Sequence, residues 1–454
     1  MECFTGDPEF REAILAEPHR AGALSTARGI GVDVQGLAPM WRDGVRPELT
    51  NEAIQGSPLA VKWARWMSDL MEFRALMRLH GAAEDGDPRF RAWRLRRVAQ
   101  ADSELGDARH AIIHSVLALE LCDGCSAGCW FCGLSADRLR DVFAYSPDNA
   151  RLWREVLAEA QQFLGSAVQT GFCYWATDPF DNPDYLRFAQ VFHEVVGVLP
   201  QTTTALAFKD LDWARELVAA YRDSLCVPPR FSILSTKVLR LVHEHFTPEE
   251  LLLVELVQQQ DGAVVVKAKA GRAATAERDG DASVDIPPHD MGTIACVSGF
   301  LVNMPQRSIK LVTPCRASEE WPLGYRVFAE EKFDNAADVR AFMNRCADEQ
   351  MTDRLAGGDA LAFRQGLEYA RNDEGFAVAT PYLTTRYTGA PFLGPLGDMI
   401  AQGEHTVGDA IGRAMAEGAD LFEASGALET LFCAGLLDEA PLSHANRAKA
   451  EAMS

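Results

Sequence analysis

The sequence predicts an α/β fold in which strands and helices alternate between residues 112 and 320. Apolar runs predict strands at 113–121, 171–177, 202–207 and 230–235. Segments with helical periodicity predict helices at 149–165, 183–197, 210–222 and 236–246. Alternation at this spacing is typical of βαβ units and a parallel sheet. We therefore expect an open or closed barrel whose ligand-binding loops follow the carboxyl ends of the strands.

Helical regions are predicted on both sides of this core. GDPEFREAILAEP and SPLAVKWARWMSDLMEFRALMRLHG have helical patterns, so residues 1–110 are expected to form a helical N-terminal region. The core is expected at 111–335, and residues 336–454 to form a C-terminal region of short helices. This last region is similar to a small winged-helix unit, and we interpret it as a module that docks a peptide or a protein.

The second half of the core has a mixed pattern. TPEELLLVELVQQQ predicts a helix that begins with a Thr247–Glu250 capping box, and AVVVKAKA predicts a strand. GTIACVSGFLVNMPQRSIKLVTPC contains two strand-like runs around MPQRS, which predict a hairpin or two late barrel strands.

Composition limits the classes of partner. The net charge of −21 argues against binding along a nucleic-acid backbone. No apolar stretch is long enough to span a bilayer, and MECFTGDPEF has no signal-peptide pattern, so we expect a cytoplasmic protein without a membrane partner. RFRAWRLRR is a local basic run, which predicts either a solvated helix face or a site for an acidic peptide.

Cysteines carry the most specific signal. Cys125, Cys129 and Cys132 have the spacing C-x3-C-x2-C and follow the first predicted strand directly. Closely spaced thiolates suit an iron–sulfur cluster, and three ligands leave one iron of a four-iron cluster open. Cys122 extends the pattern to four cysteines, which is an alternative zinc set. Zinc knuckles, however, are normally separated by a dozen or more residues, whereas these two are separated by three.

This spacing, with Phe131 directly before the last cysteine, resembles the radical SAM superfamily. The resemblance implies a partial (β/α) barrel, a [4Fe–4S] cluster held by the three cysteines, and S-adenosyl-L-methionine (SAM) bound to the open iron. Reductive cleavage of SAM in that superfamily yields a 5′-deoxyadenosyl radical. An electron donor such as flavodoxin or ferredoxin is implied as a partner.

The resemblance also suggests residues that contact SAM. The position after the second strand, which usually carries a Gly-Gly-Glu-like motif, holds Thr177 and Asp178 here, and they would accept hydrogen bonds from the SAM ammonium group. The alternative for this segment is a helix cap. We add to this set Phe131 and four residues of the third and fourth strands, namely Thr202, Thr204, Arg230 and Ser232. Strand propensity explains the threonines equally well.

Further segments restrict the resemblance to one family within this superfamily. GDPEFREAIL, ATDPFDNPDY, IACVSGFLVN and KLVTPCRASEEWPLGY, together with the cysteine loop, are similar to radical SAM peptide epimerases, which act on ribosomally made peptides such as proteusins. The similarity implies abstraction of a Cα hydrogen from an L-residue of a precursor peptide with leader and core segments. A cysteine thiol then returns hydrogen to the opposite face. Cys315, at a predicted strand end and barrel mouth, is the expected donor, with Cys296 next.

Two alternatives remain. A related radical SAM enzyme would form C–C or C–S cross-links in a peptide instead of returning hydrogen. A protein that holds a cluster or zinc and catalyses nothing is the alternative from another class.

Overall fold

The computed structural model describes residues 1–32, 34–42, 55–222, 224, 227–264, 267–275 and 292–439. It has a mixed α/β fold, which confirms the predicted fold class. Helices precede the sheet in the chain, alternate with its parallel strands, and follow it in a separate C-terminal region.

The N-terminal region is helical, as predicted. Its helices are α1 (Glu2–Gly6), α2 (Pro8–Ala16), α3 (Ala21–Ala27), α4 (Pro58–His80) and α5 (Pro88–Leu105). Asp7 caps α2 by accepting a hydrogen bond from the backbone N–H of Phe10, and Ser57 caps α4 in the same way through Ala60.

Seven strands form the main sheets of the molecule. They are β1 (Ser115–Glu120), β4 (Thr203–Thr204), β5 (Arg230–Ile233), β6 (Glu255–Gln258), β7 (Val297–Asn303), β8 (Ser308–Pro314) and β9 (Tyr325–Lys332). Two short strands, β2 (Cys122–Asp123) and β3 (Asp141–Val142), pair with each other just beyond β1.

The main strands form two sheets that Phe172 connects. One has the order β1-β7-β8-β9 and the other the order β4-β5-β6. Single parallel bridges join Phe172 to Ala118 of β1 and to Gln201 beside β4. β1 and β7 are parallel, as are β4, β5 and β6, whereas β8 and β9 continue antiparallel. Among the described residues no pairing joins β6 to β9, so no closed barrel forms there.

Helices cover one face of these strands. They are α6 (Pro147–Leu164), α7 (Tyr185–Val196), α8 (Leu211–Arg222), α9 (Thr236–His245), the short α10 (Pro248–Leu251) and α12 (Ala336–Gln350). The short α11 (Arg272–Thr275) lies elsewhere, in contact with Cys132 and Ala136. The four predicted crossover helices are therefore confirmed. Their apolar sides pack with Leu117, Leu119, Phe231 and Ile233 in the largest hydrophobic cluster.

The opposite side of the strands is called the inner face here. It carries Ala118 and Glu120 of β1, since side chains alternate along a strand and Leu117 and Leu119 face the helices. Ala118 packs there with Phe172, Trp175 and Leu134 in a smaller cluster.

Three strand predictions and one helix prediction need correction. The segment 171–177 forms bridges only at Phe172, and the strand expected at 202–207 spans only Thr203–Thr204. The expected helix over TPEELLLVELVQQQ ends at Leu251, although its capping box is present, and β6 takes the second half of this segment. An apolar run of this kind is compatible with a helix or a strand, and in the folded protein it forms a strand because it pairs in parallel with β5. The described residues of AVVVKAKA are not in a strand, and 265–266 lie outside the description.

The C-terminal region has its own core. Its strands are β10 (Ala360–Leu361), β11 (Glu368–Asn372), β12 (Gly375–Ala379), β13 (Thr384–Thr388) and β14 (His405–Thr406), and its helices are α13 (Leu393–Gln402), α14 (Val407–Ala416) and α15 (Leu421–Cys433). Short helices were predicted at the positions of α14 and α15, whereas α13 and the β11-β12-β13 sheet were not predicted. Their apolar side chains form a separate hydrophobic cluster from Leu361 to Leu437. α12 instead packs into the main core.

Three of the five arginines of the basic run in α5 are buried, and so are neither on a solvated face nor free to dock a peptide. Arg94 is buried and donates to the carbonyl of His114, and Arg96 and Arg97 pair with Glu439 of the C-terminal region. The guanidinium group of Arg96 also stacks on the ring of Phe432. These arginines therefore connect α5 to the sheet and to the C-terminal region. Within the described part of the chain, no helix is both long and apolar enough to cross a membrane.

Candidate functional site

The three predicted cluster cysteines lie on one loop at the carboxyl end of β1. The paired strands β2 and β3 close the base of this loop. Inside it, the backbone N–H of Cys125 donates to the carbonyl of Asp137 (2.9 Å), and that of Cys132 donates to the carbonyl of Cys129 (3.3 Å). Gly124 permits this compact path, because its φ of +88° suits glycine and a Cβ atom would lie 2.3 Å from the carbonyl oxygen of Arg138.

The thiols of this loop are partly buried and close enough to influence one another. Backbone N–H groups of Ala127 and Ala136 donate to the sulfur atoms of Cys125 and Cys132, both at 3.4 Å. Burial raises the pKa of Cys125 to about 12, and burial followed by the nearby Cys132 raises the pKa of Cys129. As thiolates they would therefore need a cation beside them, which a bound metal supplies.

The donor chemistry of the loop fits an iron–sulfur cluster. Three partly exposed thiols on adjoining turns, two of them with N–H donors aimed at sulfur, are the ligand type that such clusters use. As placed, no three Cys, His, Asp or Glu side chains of the described residues converge on a single metal position. Loading would therefore require the thiol side chains to turn toward a common point.

Neighbouring segments hold the cysteine loop in place. The carboxylate of Asp181 accepts from the backbone N–H of Ser126 (2.8 Å) and from its hydroxyl group (2.5 Å). On the other side, the backbone N–H of Arg272 donates to the carbonyl of Cys132 (3.1 Å). The exposed ring of Trp130 and the ring of Phe131 lie 4.8 and 5.0 Å from the ammonium group of Lys267.

Glu120 is a buried carboxylate beside this loop that the sequence prediction missed. It ends β1 on the inner face, where it accepts hydrogen bonds from the backbone N–H of Ala176 (2.8 Å) and the amide of Asn303 (2.9 Å). Burial raises its pKa to about 7. A charged residue at the end of the otherwise apolar SVLALE was the signal that could have found it.

Thr177 and Asp178 lie in the turn after Phe172, as expected. Thr177 is partly buried, whereas Asp178 is buried and accepts hydrogen bonds from the Thr204 hydroxyl (2.7 Å) and from the backbone N–H groups of Phe180 (3.0 Å) and Ala205 (2.7 Å). Burial raises the pKa of Asp178 to about 6. In this structure Asp178 and Thr204 therefore join the second and third strand ends, and Asp178 caps the short turn Pro179–Asp181. The alternative, a cap by Asp181 or Asn182 on a helix that begins at Pro183, is not found, because α7 begins at Tyr185 with Asp184 at the N-cap.

Thr202 lies on the side of the sheet that the helices cover. It is fully buried, and its hydroxyl group is hydrogen-bonded to the phenol groups of Tyr185 and Tyr221 (both 2.5 Å). Thr202 and Thr204 share a face, as predicted, but this is not the inner face, since Thr204 is level with Phe231 of the helix-covered core. Thr202 thus presents no surface to a cofactor here.

Arg230 and Ser232 do lie on the inner face, because Phe231 and Ile233 face the helices. Arg230 donates through Nε to the Thr203 hydroxyl (2.8 Å) and through Nη2 to the Tyr174 phenol (2.7 Å). Tyr174 in turn donates to Gln201 (2.5 Å). This group of four residues is called the Arg230 network. Tyr174, Gln201 and Thr203 were not singled out from the sequence, since nothing local distinguishes them.

Cys296 lies beside the Arg230 network. It precedes β7 and packs on the inner-face cluster together with Tyr174. Burial raises the pKa of Cys296 to about 11, and the positive charge of Arg230 opposes this effect.

Cys315 is not at the mouth of a barrel, contrary to expectation. It follows β8, which runs antiparallel to β7, so it lies near the start of β7, at the same end of the sheet as Cys296 and away from the cysteine loop. Because side chains alternate along a strand, Cys315 lies with Leu311 and Thr313 on the side of the sheet that the helices cover. It is fully buried, and the charged groups that affect its pKa are Arg326, Glu104 and Glu320. The two expected hydrogen donors therefore lie on opposite faces of the sheet.

Comparison with known proteins places the chain in a family. A protein of Sinorhizobium fredii, described as "Uncharacterized protein y4wI", is 38% identical over 443 residues, which cover 97% of this chain and 86% of that protein. The family model "Protein y4wI C-terminal domain" matches residues 361–435. The chain belongs to the y4wI family. The family match coincides with the separate hydrophobic cluster of the C-terminal region.

A solved structure was also found by similarity. The crystal structure of BtrN in complex with AdoMet and 2-DOIA is 13% identical, with a TM-score of 0.31, and the match covers 52% of this chain and 87% of BtrN. A similarity this low carries no conclusion about this chain.

Taken together, the arrangement offers three kinds of chemistry. The cysteine loop offers thiolate ligands for a metal cluster, and Glu120 offers a carboxylate that changes protonation near neutral pH. The Arg230 network offers a cation beside a thiol, Cys296.

Proposed function

We propose that this protein is a radical SAM enzyme that epimerises residues of a ribosomally made precursor peptide. The observation that supports it best is the C-x3-C-x2-C loop at the carboxyl end of β1, the edge at which α/β sheets place their ligands. Cys125, Cys129 and Cys132 would hold a [4Fe–4S] cluster, and SAM would be the second cofactor. When bound, these groups supply a 5′-deoxyadenosyl radical that abstracts hydrogen.

The protein's own residues would position the reactants. N–H groups of Ala127 and Ala136 stabilise the ligating sulfurs, and Asp181 and Arg272 restrain the loop on its two sides. The finer assignments of Phe131, Thr177, Asp178 and Ser232 to SAM contacts stay proposals. Arg230 is left out of this set, because its guanidinium group lies beside Cys296, the proposed hydrogen donor. Thr202 and Thr204 are omitted, because their hydroxyl groups are engaged within the protein.

Hydrogen return would come from Cys296 rather than Cys315. A planar Cα radical takes the hydrogen atom of the thiol, so a C–H bond forms, the S–H bond breaks, and a thiyl radical remains. One electron and one proton, delivered through a donor of the flavodoxin or ferredoxin type, restore the thiol. Cys296 is favoured because it lies on the inner face and is partly exposed, whereas Cys315 is fully buried on the other face. A cytoplasmic location suits such oxygen-sensitive chemistry.

The test begins with metal content. After anaerobic reconstitution, the Cys125→Ala, Cys129→Ala and Cys132→Ala variants are each expected to lose the cluster's visible absorption and their bound iron. Cys122→Ala is the matched control, since Cys122 lies in β2 at the base of the loop and is not one of the three ligands. Zinc in place of iron, or loss of iron in all four variants alike, would contradict the proposal.

The second part tests the reaction. Reconstituted protein, SAM, reductant and candidate precursor peptides are incubated in deuterium oxide, and the peptide is analysed by mass spectrometry and chiral amino-acid analysis. Epimerisation predicts deuterium at the Cα of D-configured residues, and Cys296→Ala is expected to abolish this product while SAM cleavage continues. A peptide that loses two hydrogens without gaining deuterium would instead indicate the cross-linking alternative. Loss of product in Cys315→Ala alone would return the donor role to Cys315.

A further inference from the structure

Arg230 carries a partly buried positive charge, and its hydrogen-bond partners are neutral. Its contacts are the hydroxyl groups of Thr203 and Tyr174. Among the described residues, no carboxylate lies within ion-pair distance of Arg230. The neighbouring Glu255, level with Arg230 on β6, is instead paired with Arg74. Burial lowers the pKa of Arg230, but the effects of Tyr174, Glu255 and Cys296 outweigh it, so the pKa lies above its ordinary value and the group is charged. The N–H groups of Arg230 that Thr203 and Tyr174 do not engage can therefore bind an anion.

The side chains of the Arg230 network that lie on the inner face are partly exposed. Thr203, Arg230 and Ser232 are partly exposed, whereas Thr204, Phe231 and Ile233 on the helix-covered face are buried. Tyr174 and Cys296 on the inner face are also partly exposed. Solvent therefore reaches part of the inner-face side of the network.

The partners of Arg230 also fix its direction. Nε and Nη2 are held by Thr203 and Tyr174, and Tyr174 is itself oriented by Gln201. A planar guanidinium group restrained in this way is prepared to bind a planar carboxylate. A lysine at this position would keep the charge but lose the geometry.

We propose that the Arg230 network binds a carboxylate of the substrate beside the thiol of Cys296. The substrate would then be an amino acid, or the C-terminal or an acidic residue of a peptide, rather than an internal neutral residue. The binding site follows from the structure alone. Only the use of Cys296 as hydrogen donor to that substrate rests on the proposed function.

Binding is tested on the full-length protein with a matched pair of probes. N-acetyl-L-alanine carries a carboxylate, and N-acetyl-L-alaninamide is its neutral counterpart. Calorimetry measures the affinity of each, with and without SAM. The rate of Cys296 alkylation, followed by peptide mass spectrometry, reports whether the bound probe lies at the thiol. The proposal predicts that N-acetyl-L-alanine binds and protects Cys296, whereas the amide does neither.

Variants identify the binding group. Arg230→Gln is expected to weaken binding of N-acetyl-L-alanine by about tenfold or more and to abolish protection, and Arg230→Lys to have an intermediate effect. Arg187→Gln is the control, because Arg187 is an exposed residue paired with Asp184. If Arg230→Gln does not fold, as judged by circular dichroism, Arg230→Lys and the probe pair still decide the question.

Three outcomes would overturn the proposal. They are equal affinity for acid and amide, binding that survives in both Arg230 variants, and protection of Cys296 by SAM but not by N-acetyl-L-alanine. The last would assign Arg230 to the cofactor. None of these outcomes affects the iron and SAM-cleavage tests, so failure here is distinguishable from failure of the proposed function.

Discussion

At the scale of single residues, Glu120 shows how the fold changes the chemistry of a side chain. Its carboxyl group is buried at the end of β1 and accepts only neutral donors, Asn303 and the backbone of Ala176. Burial raises the pKa of Glu120 to about 7 because the charged form loses its contact with water. The folded protein therefore binds this proton more tightly than the unfolded chain does.

This shift predicts a pH dependence of stability. A raised folded-state pKa stabilises the protein fully below the unfolded pKa, and the contribution is lost as the pH rises through about 7. Between pH 6 and 8.5 the free energy of unfolding should therefore fall by roughly 1 to 1.5 kcal/mol because of Glu120. Urea denaturation of the wild type and of Glu120→Gln at both pH values measures this difference.

The Glu120→Gln variant should lose that part of the pH dependence, since glutamine does not ionise. Glu331→Gln serves as the control, because Glu331 is about half exposed and pairs with Arg345 at the surface. Identical pH dependence in the wild type and Glu120→Gln would show that Glu120 titrates normally.

At the scale of elements, the cysteine loop depends on one close approach. Gly124 and Gly128 both have positive φ angles, +88° and +63°. They differ in their surroundings: a Cβ atom at Gly124 would meet the carbonyl oxygen of Arg138 at 2.3 Å, whereas one at Gly128 would have no atom within 4 Å. A comparison of alanine substitutions at these two glycines therefore separates the effect of a steric clash from the effect of backbone strain.

Gly124→Ala is accordingly expected to disrupt the loop, and Gly128→Ala to affect it less. Strain at a positive φ costs of the order of 1 kcal/mol in both variants, and the clash adds to it at residue 124. Iron retained after reconstitution and the midpoint of thermal unfolding are the measurements. Equal iron loading in the two variants would contradict the steric account.

Sequence patterns predicted some elements better than others. The crossover helices and the β7–β8 hairpin were predicted, because each has a long and regular apolar pattern. β6 was taken for a helix, since LLLVELV suits both, and its pairing with β5 is a contact between segments distant in the chain. The β11-β12-β13 sheet was missed, because its outer strands β11 and β13 are largely exposed and polar.

At the scale of the whole molecule, Glu104 joins three parts of the chain. It lies near the end of α5 and pairs with Arg326 of β9 (3.0 Å) and Arg364 of the C-terminal region (3.1 Å). Arg364 also donates to the Ser103 hydroxyl (2.6 Å), and its side chain is buried. Two arginines thus depend on one carboxylate at this contact.

Glu104→Gln is expected to be strongly destabilising, because it leaves two largely buried guanidinium groups without a counter-charge. Removing one partner of a buried ion pair typically costs about 3–5 kcal/mol. Exposed ion pairs contribute about 1 kcal/mol or less to stability, so the free energy of unfolding of the Glu331→Gln control should change little. Urea denaturation measures both. A loss below about 1 kcal/mol for Glu104→Gln would show that the C-terminal region is held by other contacts.

The sequence by itself determined the α/β class, the helical N-terminal region and the cysteine loop after the first strand, since each depends on residues that are close together in the chain. Only the tertiary structure decided which face each strand residue occupies. It placed Cys296 beside Arg230 and Cys315 on the opposite face, turned Thr202 into the helix-covered core, and used the arginine run as an internal connection. The reason is physical: a shift of one residue along a strand reverses a side chain's face, and pairing between distant segments sets that register.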